Sequence, residues 1–371
     1  MPHILSVVGA RPNFMKVAAL DAAFRTQSAI RHSIVHTGQH YDEKMSDIFF
    51  REMALPEPDV FMGVGGGSHA RQTAAIMQAF EDVVLEMAPD AVLVVGDVNS
   101  TMACSLVASK LHVPIVHVEA GLRSGDRGMP EEINRIVTDA IADVLYVSDP
   151  SGMDFLEAEG VPASKVHFVG NVMIDSLHRY RPLADARPVL DDWALSPGGY
   201  ILLTLHRPAT VDSADGLARM AGVFEALAGE WPDQPLVFPI HPRTRANMER
   251  FGLADRFAAI RTLQLHEPVG YLDFLKLQSA ARFIVTDSGG IQEESTILEV
   301  PCLTLRPNTE RPVTITHGTN VLLPPDTPDL AGRVLAYVRE ANEGRWKTAQ
   351  PIDGWDGHAA ERIAADLLTR F

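Results

Sequence analysis

Short apolar runs rich in β-branched residues alternate with helix-period segments along almost the whole chain, and this alternation limits the fold more than any other feature. In the first half the runs are His3–Val8, 33–37, Ala91–Val95, 115–118, Val144–Val147 and 166–169, with helices expected over 13–25, 42–53, 71–87, 101–111 and 131–142. A run such as Val92-Leu93-Val94-Val95 is apolar on both faces, as a parallel strand covered by helices on each side must be. Alternating βα units therefore predict an α/β fold of doubly wound, Rossmann-like sheets. The Pro-, Asp- and Gly-rich stretch 179–199 breaks the rhythm and reads as a linker. A second series then follows at 200–204, Leu236–Pro239, 261–264, Phe283–Thr286 and 301–305. The expected organisation is a domain over 1–178, joined by a final helix within 356–371, and a second domain over 179–355. With 371 residues the chain has room for both. Facing each other, they would leave a cleft between the carboxyl ends of their strands.

Charge narrows the partners. With 32 Lys and Arg against 48 Asp and Glu, the net charge is −16, which disfavours nucleic acid and anionic membranes as partners. No apolar run approaches the roughly 18 residues of a membrane span, and the opening Met-Pro-His-Ile-Leu enters a strand with no signal-peptide core. Cys104 and Cys302 are far apart in apolar surroundings, which excludes a disulfide framework and a zinc ribbon. The expectation is a soluble cytoplasmic protein with no metal or redox cofactor.

The chemistry-bearing residues collect at strand ends. Gly9-Ala10-Arg11-Pro12-Asn13-Phe14-Met15-Lys16 follows the first strand and is neither GxGxxG nor a Walker A loop. A tight turn with Arg11 at the helix mouth and Lys16 one turn on still suits an anion. The next strand ends in Gly96-Asp97, where Asp97 can simply cap a helix beginning near Thr101, although Asn99 or Ser100 is better placed for that. Glu119 ends the strand after that, and a carboxylate there is expensive to bury without a partner or a task. Glu131 opens a helix behind Pro130; alone, it is explained equally well by the helix dipole. Three carboxylates at one sheet edge suit proton transfer. In the second half, His206-Arg207 and His241-Pro242-Arg243 end neighbouring strands. Ser288-Gly289-Gly290 at a helix start lets backbone N–H groups approach a diphosphate, with Glu294 one turn later able to accept from ribose hydroxyls and Arg311 adding a cation. Gly65-Gly66-Gly67-Ser68 reads as a flexible connection, and His69 as a surface residue.

Together these blocks resemble the non-hydrolysing UDP-N-acetylglucosamine 2-epimerase family: GARPNFMK (9–16), HTGQH (36–40), GDVNST (96–101), HVEAGLRSGD (117–126), MPEEINR (129–135), TLHRP (204–208), HPRT (241–244), EPVGYLDF (267–274), TDSGGIQEES (286–295) and TERPVT (309–314), in order over nearly the whole chain. The resemblance implies a GT-B fold and a UDP-sugar substrate. It also implies a homodimer formed through the first domain and a final helix that crosses back to that domain. It implies that Asp97, Glu119, Glu131 and His206 serve catalysis. Arg11, Lys16, His206, Arg311, Ser288, Gly289 and Gly290 would bind diphosphate and sugar; Asp97 and Glu119 also face the substrate. Glu294 would hold the ribose, with Phe274 and the main chain at Val269 around the uracil. The implied reaction eliminates UDP to give a 2-acetamidoglucal, then adds it back with the C2 proton delivered to the other face. One departure stands out: Pro208 occupies a place where many bacterial members carry an Arg that helps to hold an activating second substrate molecule, so substrate activation does not carry over. The stretch 36–50 also resembles the branch acting on UDP-2,3-diacetamido-glucuronate. A retaining glycosyltransferase of the same fold, a hydrolysing epimerase and a catalytically silent sugar-nucleotide-binding regulator are the other readings.

Overall fold

The two-sided apolar runs become strands buried on both faces. The computed structural model describes residues 1–27, 29–39 and 55–371, except for the side chain of Arg11. The helix expected over 42–53, His40 and most of the stretch that resembles the diacetamido-uronate branch lie outside the described residues. The described chain divides into two compact units, one of residues 1–180 with 352–371 and one of 181–351.

In the first unit, β1 (His3–Val8), β2 (Arg31–His36), β3 (Val60–Phe61), β4 (Ala91–Val95), β5 (Ile115–Ala120), β6 (Val144–Val147) and β7 (Val166–Phe168) form one parallel sheet ordered β3-β2-β1-β4-β5-β6-β7. In the second, β8 (Ile201–Thr204), β9 (Leu236–Pro239), β10 (Leu263–His266), β11 (Phe283–Thr286), β12 (Cys302–Thr304) and β13 (Asn320–Leu322) are ordered β10-β9-β8-β11-β12-β13, again all parallel. Both orders reverse direction once, between β1 and β4 and between β8 and β11. Such a switch point opens a crevice at the carboxyl ends of the strands, where α/β sheets bind ligands. Alternate residues supply the cores: Ile201 and Leu203 enter one apolar cluster of the second unit, while Leu202 enters another on the opposite face.

Several segments differ from the sequence reading. The stretch 179–199, read as a linker, contains the boundary between the two units at 180/181 but is largely helical. Helix Val172–Asp185 runs through Pro182, the short helix Val189–Asp192 follows, and Val189, Leu190 and Leu195 are buried in the second unit's core. Their apolar side chains outweigh the Pro and Gly content around them. The helix after β4 begins at Asn99 rather than near Thr101, with neither Asn99 nor Ser100 as its cap. The glycine-rich 63–68 segment is fed by the two-residue β3, and Ser68 caps the helix His69–Met87.

The last helix, Ala359–Arg370, belongs to the first unit. Asp175 accepts the N–H groups of Ala359 (3.2 Å) and Ala360 (2.6 Å), capping its first turn, and Tyr146 Oη donates to Asp366 at 2.7 Å. Ahead of it, Gly170 and Gly354 pass so closely that a Cβ on Gly170 would lie 1.9 Å from the carbonyl oxygen of Gly354. Both also take the left-handed backbone that favours glycine, at φ +88° and +72°. Among the described residues no helix is long and apolar enough to cross a membrane.

Candidate active site

At the β1/β4 switch point the turn Gly9-Ala10 is held by a side chain. Asn13 Oδ1 accepts the N–H groups of Gly9 (3.2 Å) and Ala10 (2.9 Å), and its Nδ2 donates to the carbonyl of Val95 at the end of β4 (2.9 Å). Gly9 must be small, since a Cβ there would lie 2.2 Å from Ser100 Oγ. The next turn of this helix carries Lys16, whose ammonium forms a close ion pair with Glu119 and sits beside Gly96. Lys16 is therefore a buried, partnered charge and not a solvated one.

Glu119 is held in an unusual way. It lies where the β5–β6 register shifts, and its φ of +70° is left-handed, costing about 1–3 kcal/mol in a residue with a side chain. That turn aims the carboxylate at the neighbouring strand end. Oε1 accepts from Arg135 Nη2 at 3.0 Å, and the same Nη2 lies 2.8 Å from Asp97 Oδ2. Arg135 thus stands between Asp97 and Glu119, so those two acids do not crowd each other bare. Asp97 does not cap a helix; it turns to Arg135 and keeps about a quarter of its side chain exposed. The helix Pro130–Ile141 positions Arg135, and Asn134 beside it donates to the carbonyl of Asp97 at 2.9 Å. On the same helix Glu132 closes the preceding loop through Ser124 and Gly125, whereas the half-buried Glu131 has no polar partner among the described residues. His69 is not an idle surface group: its Nδ1 accepts from Asn99 Nδ2 (3.0 Å), and Asn99 Oδ1 accepts from Asn134. Below the edge, the buried His117 bridges Asp139 (2.7 Å) and the carbonyl of Gly96 (2.8 Å).

The second unit's switch point is bridged in a comparable way. Asp287, the residue after β11, is wholly buried and accepts the N–H groups of His206 and Arg207 after β8. Ser288 and Gly289 follow at once as the N-cap and first residue of helix Gly289–Ile297. A Cβ on Gly289 would lie 3.3 Å from Arg311 Nη1 and 3.7 Å from Arg306 Nη1, while at Gly290 it would meet nothing within 4 Å. Two guanidinium groups therefore converge on an open helix mouth, an arrangement suited to phosphate. Each is braced by a carboxylate: Arg306 forks onto Glu310 (2.8 and 3.1 Å), and Arg311 Nε lies 2.7 Å from Glu293. Burial opposes charge on Glu310, yet Arg306 and then Arg311 hold its carboxyl down to about 2.

Glu294 lies further along this helix and faces Tyr271 Oη at 3.0 Å and Gln278 Nε2 at 2.6 Å. Burial raises its carboxyl to about 7 against those two donors, with the neighbouring Glu293 adding to the rise. Val269 and Phe274 pack, partly buried, on the apolar cluster that contains Leu277 and Ile291.

The family model described as UDP-N-acetylglucosamine 2-epimerase matches residues 22–368. The chain belongs to the UDP-N-acetylglucosamine 2-epimerase family. It is 42% identical to the UDP-N-acetylglucosamine 2-epimerase of Methanocaldococcus jannaschii, over 97% of each chain. It is also 42% identical to the UDP-2,3-diacetamido-2,3-dideoxy-D-glucuronate 2-epimerase of Pseudomonas aeruginosa, over 98% of this chain and 99% of that one. Its structure resembles that of the Methanocaldococcus jannaschii UDP-GlcNAc 2-epimerase in complex with UDP-GlcNAc and UDP, with a TM-score of 0.90, 38% identity and full coverage of both chains. The fold is GT-B, built from two parallel α/β sheets. Within the epimerase-family frame, reading the sequence alone missed Arg135, Asp287 and Arg306. Each lies inside or beside a block that drew notice for another residue; Arg135 and Asp287 act through partners at the ends of other strands, while Arg306 is braced by Glu310 four residues on.

Proposed function

We propose that the chain is a non-hydrolysing UDP-N-acetylglucosamine 2-epimerase, interconverting the gluco and manno sugar nucleotides. The observation that carries this reading is the pairing of chemistries at the two switch points: a carboxylate group threaded by Lys16 and Arg135 in one unit, and a helix mouth with two converging arginines in the other. Elimination of UDP leaves negative charge on the diphosphate, which Arg306, Arg311 and the N–H groups at Gly289 and Gly290 would stabilise. His206 would contact the same diphosphate. Glu294 would accept the ribose hydroxyls, with Val269 and Phe274 about the uracil. Lys16 and Arg11 would bind the sugar-diphosphate.

Removal and return of the C2 proton needs acid–base groups. Glu119, enclosed by two cations, suits holding charge and orienting its neighbours. Glu131, which has no polar partner among the described residues, suits carrying the proton, with Asp97 as the second candidate. UDP-2,3-diacetamido-glucuronate is the second substrate reading, because the relative named for that activity is as similar to this chain as the relative named for UDP-N-acetylglucosamine. Incubating the protein with each sugar nucleotide and following the manno epimer, free sugar and UDP by NMR tests both. The reading expects the manno sugar nucleotide without free N-acetylmannosamine; free sugar and UDP in equal amounts would make the enzyme hydrolytic.

A further inference from the structure

We propose that Asp287 is a positioning residue that locks the imidazole of His206 with Nδ1 as the proton donor to the protein and Nε2 presented outward, where its N–H in the imidazolium form can donate to a phosphate oxygen. The proposal rests on the reading that His206 contacts the sugar nucleotide. Asp287 Oδ1 lies 3.2 Å from His206 Nδ1, and a carboxylate only accepts, so the shared hydrogen belongs to Nδ1. The His206 side chain is about 45% exposed, and its Nε2 has no polar partner among the described residues. The ring is held from behind with its far edge open.

A simpler role for Asp287 is to cap the short helix Pro208–Val211, and it does receive the N–H groups of His206 (3.1 and 3.0 Å) and Arg207 (2.9 Å), with the Thr210 hydroxyl as a further donor. A cap of that kind is ordinarily supplied by the helix's own N-cap residue, a Ser, Thr, Asp or Asn adjacent in sequence. Here the acceptor comes from the adjacent strand's end, 81 residues away, and is a wholly buried carboxylate. Burial opposes its charge, but the bond to His206 and that residue's charge, with Thr210 and the Arg207 N–H, keep the carboxyl below its usual range. The main-chain bonds fix where the turn lies; the side-chain bond fixes which nitrogen faces the ligand. Asp287 also precedes Ser288 and Gly289 directly, so one residue sets both the ring and the start of the phosphate-facing helix. The arrangement parallels the role of a buried aspartate that selects a histidine tautomer in acyl-transfer enzymes.

The test uses the full chain with 15N-labelled histidine and three variants, Asp287→Asn, His206→Gln and the double substitution. In the unsubstituted protein at high pH, the NMR signal of the neutral His206 ring is expected to report the Nδ1–H tautomer. Asp287→Asn is expected to lose that fixed tautomer and to lower kcat by about 10²–10⁴-fold with little change in KM. The double variant is expected to be no slower than His206→Gln alone, because both act through one ring. An Nε2–H tautomer in the unsubstituted protein overturns the proposal, as does an Asp287→Asn variant with unchanged kcat or losses that multiply in the double variant. The tautomer measurement needs neither turnover nor a folded variant. If neither sugar nucleotide is epimerised, the functional reading fails, while the tautomer result still decides the role of Asp287.

Discussion

Arg135 Nη2 lies 3.0 Å from Glu119 Oε1, with both side chains almost wholly removed from solvent. Since Lys16 reaches the other oxygen of the same carboxylate, Glu119 is the shared counter-ion of two buried cations. Glu131, four residues before Arg135, has no such tie among the described residues. Two glutamates from adjoining sequence blocks thus have different physical duties, and their substitutions should separate.

Replacing Glu119 by Gln leaves Lys16 and Arg135 without their common anion. Breaking a buried pair costs about 3–5 kcal/mol, so both stability and turnover are expected to fall. Glu131→Gln is expected to lower turnover by about 10²–10⁴-fold while unfolding within about 0.5 kcal/mol of the unsubstituted protein. Denaturant titration alongside steady-state kinetics checks both. Equal destabilisation by the two substitutions would contradict this division of duties.

Gly289 gives a second prediction. A methyl group there would sit 3.3 Å from Arg311 Nη1, in the space a phosphate oxygen would use. Gly289→Ala is expected to fold normally, because the residue is helical and its φ is not left-handed. Its affinity for UDP is expected to fall by at least about tenfold, or roughly 1.4 kcal/mol, measured by calorimetry. Unchanged affinity would remove the helix mouth from the diphosphate site.

Much of the fold was legible because its strands are buried on both faces and so announce themselves as unbroken apolar runs, as Val92 to Val95 do. The short β3 was not, since two residues carry no period. Glycine and charge at strand ends pointed to Asp97, Glu119 and Ser288, but the ties among them are tertiary. Nothing local says that Arg135 will divide Asp97 from Glu119, or that Asp287 will reach back to the end of β8. The Pro-rich stretch after residue 178 does hold the unit boundary, but its helices were not legible for a related reason: Val189, Leu190 and Leu195 are anchored by a core that lies elsewhere in the sequence.

Glu294 makes stability depend on pH. Its folded carboxyl titrates at about 7 against an ordinary 4.5, so the folded state binds the proton more tightly. The stability this gives is present in full below about pH 4.5 and is lost as pH rises to about 7. Glu294→Gln, a neutral mimic, should therefore stabilise the protein above pH 7, by up to about 3 kcal/mol, and make little difference near pH 4.5. Gln278 Oε1, buried without a partner among the described residues, can turn to accept from the new amide. The same variant is expected to bind UDP more weakly. Denaturation curves at pH 4.5 and 8 check the first expectation, and a stability gain that is equal at both would refute the titration.

Gly170→Ala tests how the last helix is held. The added Cβ would meet the Gly354 carbonyl at 1.9 Å on a left-handed backbone, so the 354–357 turn must move. Hydrogen exchange over 359–370 is expected to accelerate well before the rest of the first unit opens. Exchange as slow as in the unsubstituted protein would show that the crossing is dispensable.

In the proposed reaction UDP departs and returns while the hydrogen on carbon 2 is taken up and replaced from solvent. The most direct measurement is to run the reaction on UDP-N-acetylglucosamine in deuterated water and read carbon 2 of the manno product by NMR. Deuterium is expected at that position in every product molecule, with the sugar nucleotide intact. A manno product that keeps its original hydrogen at carbon 2 would contradict it.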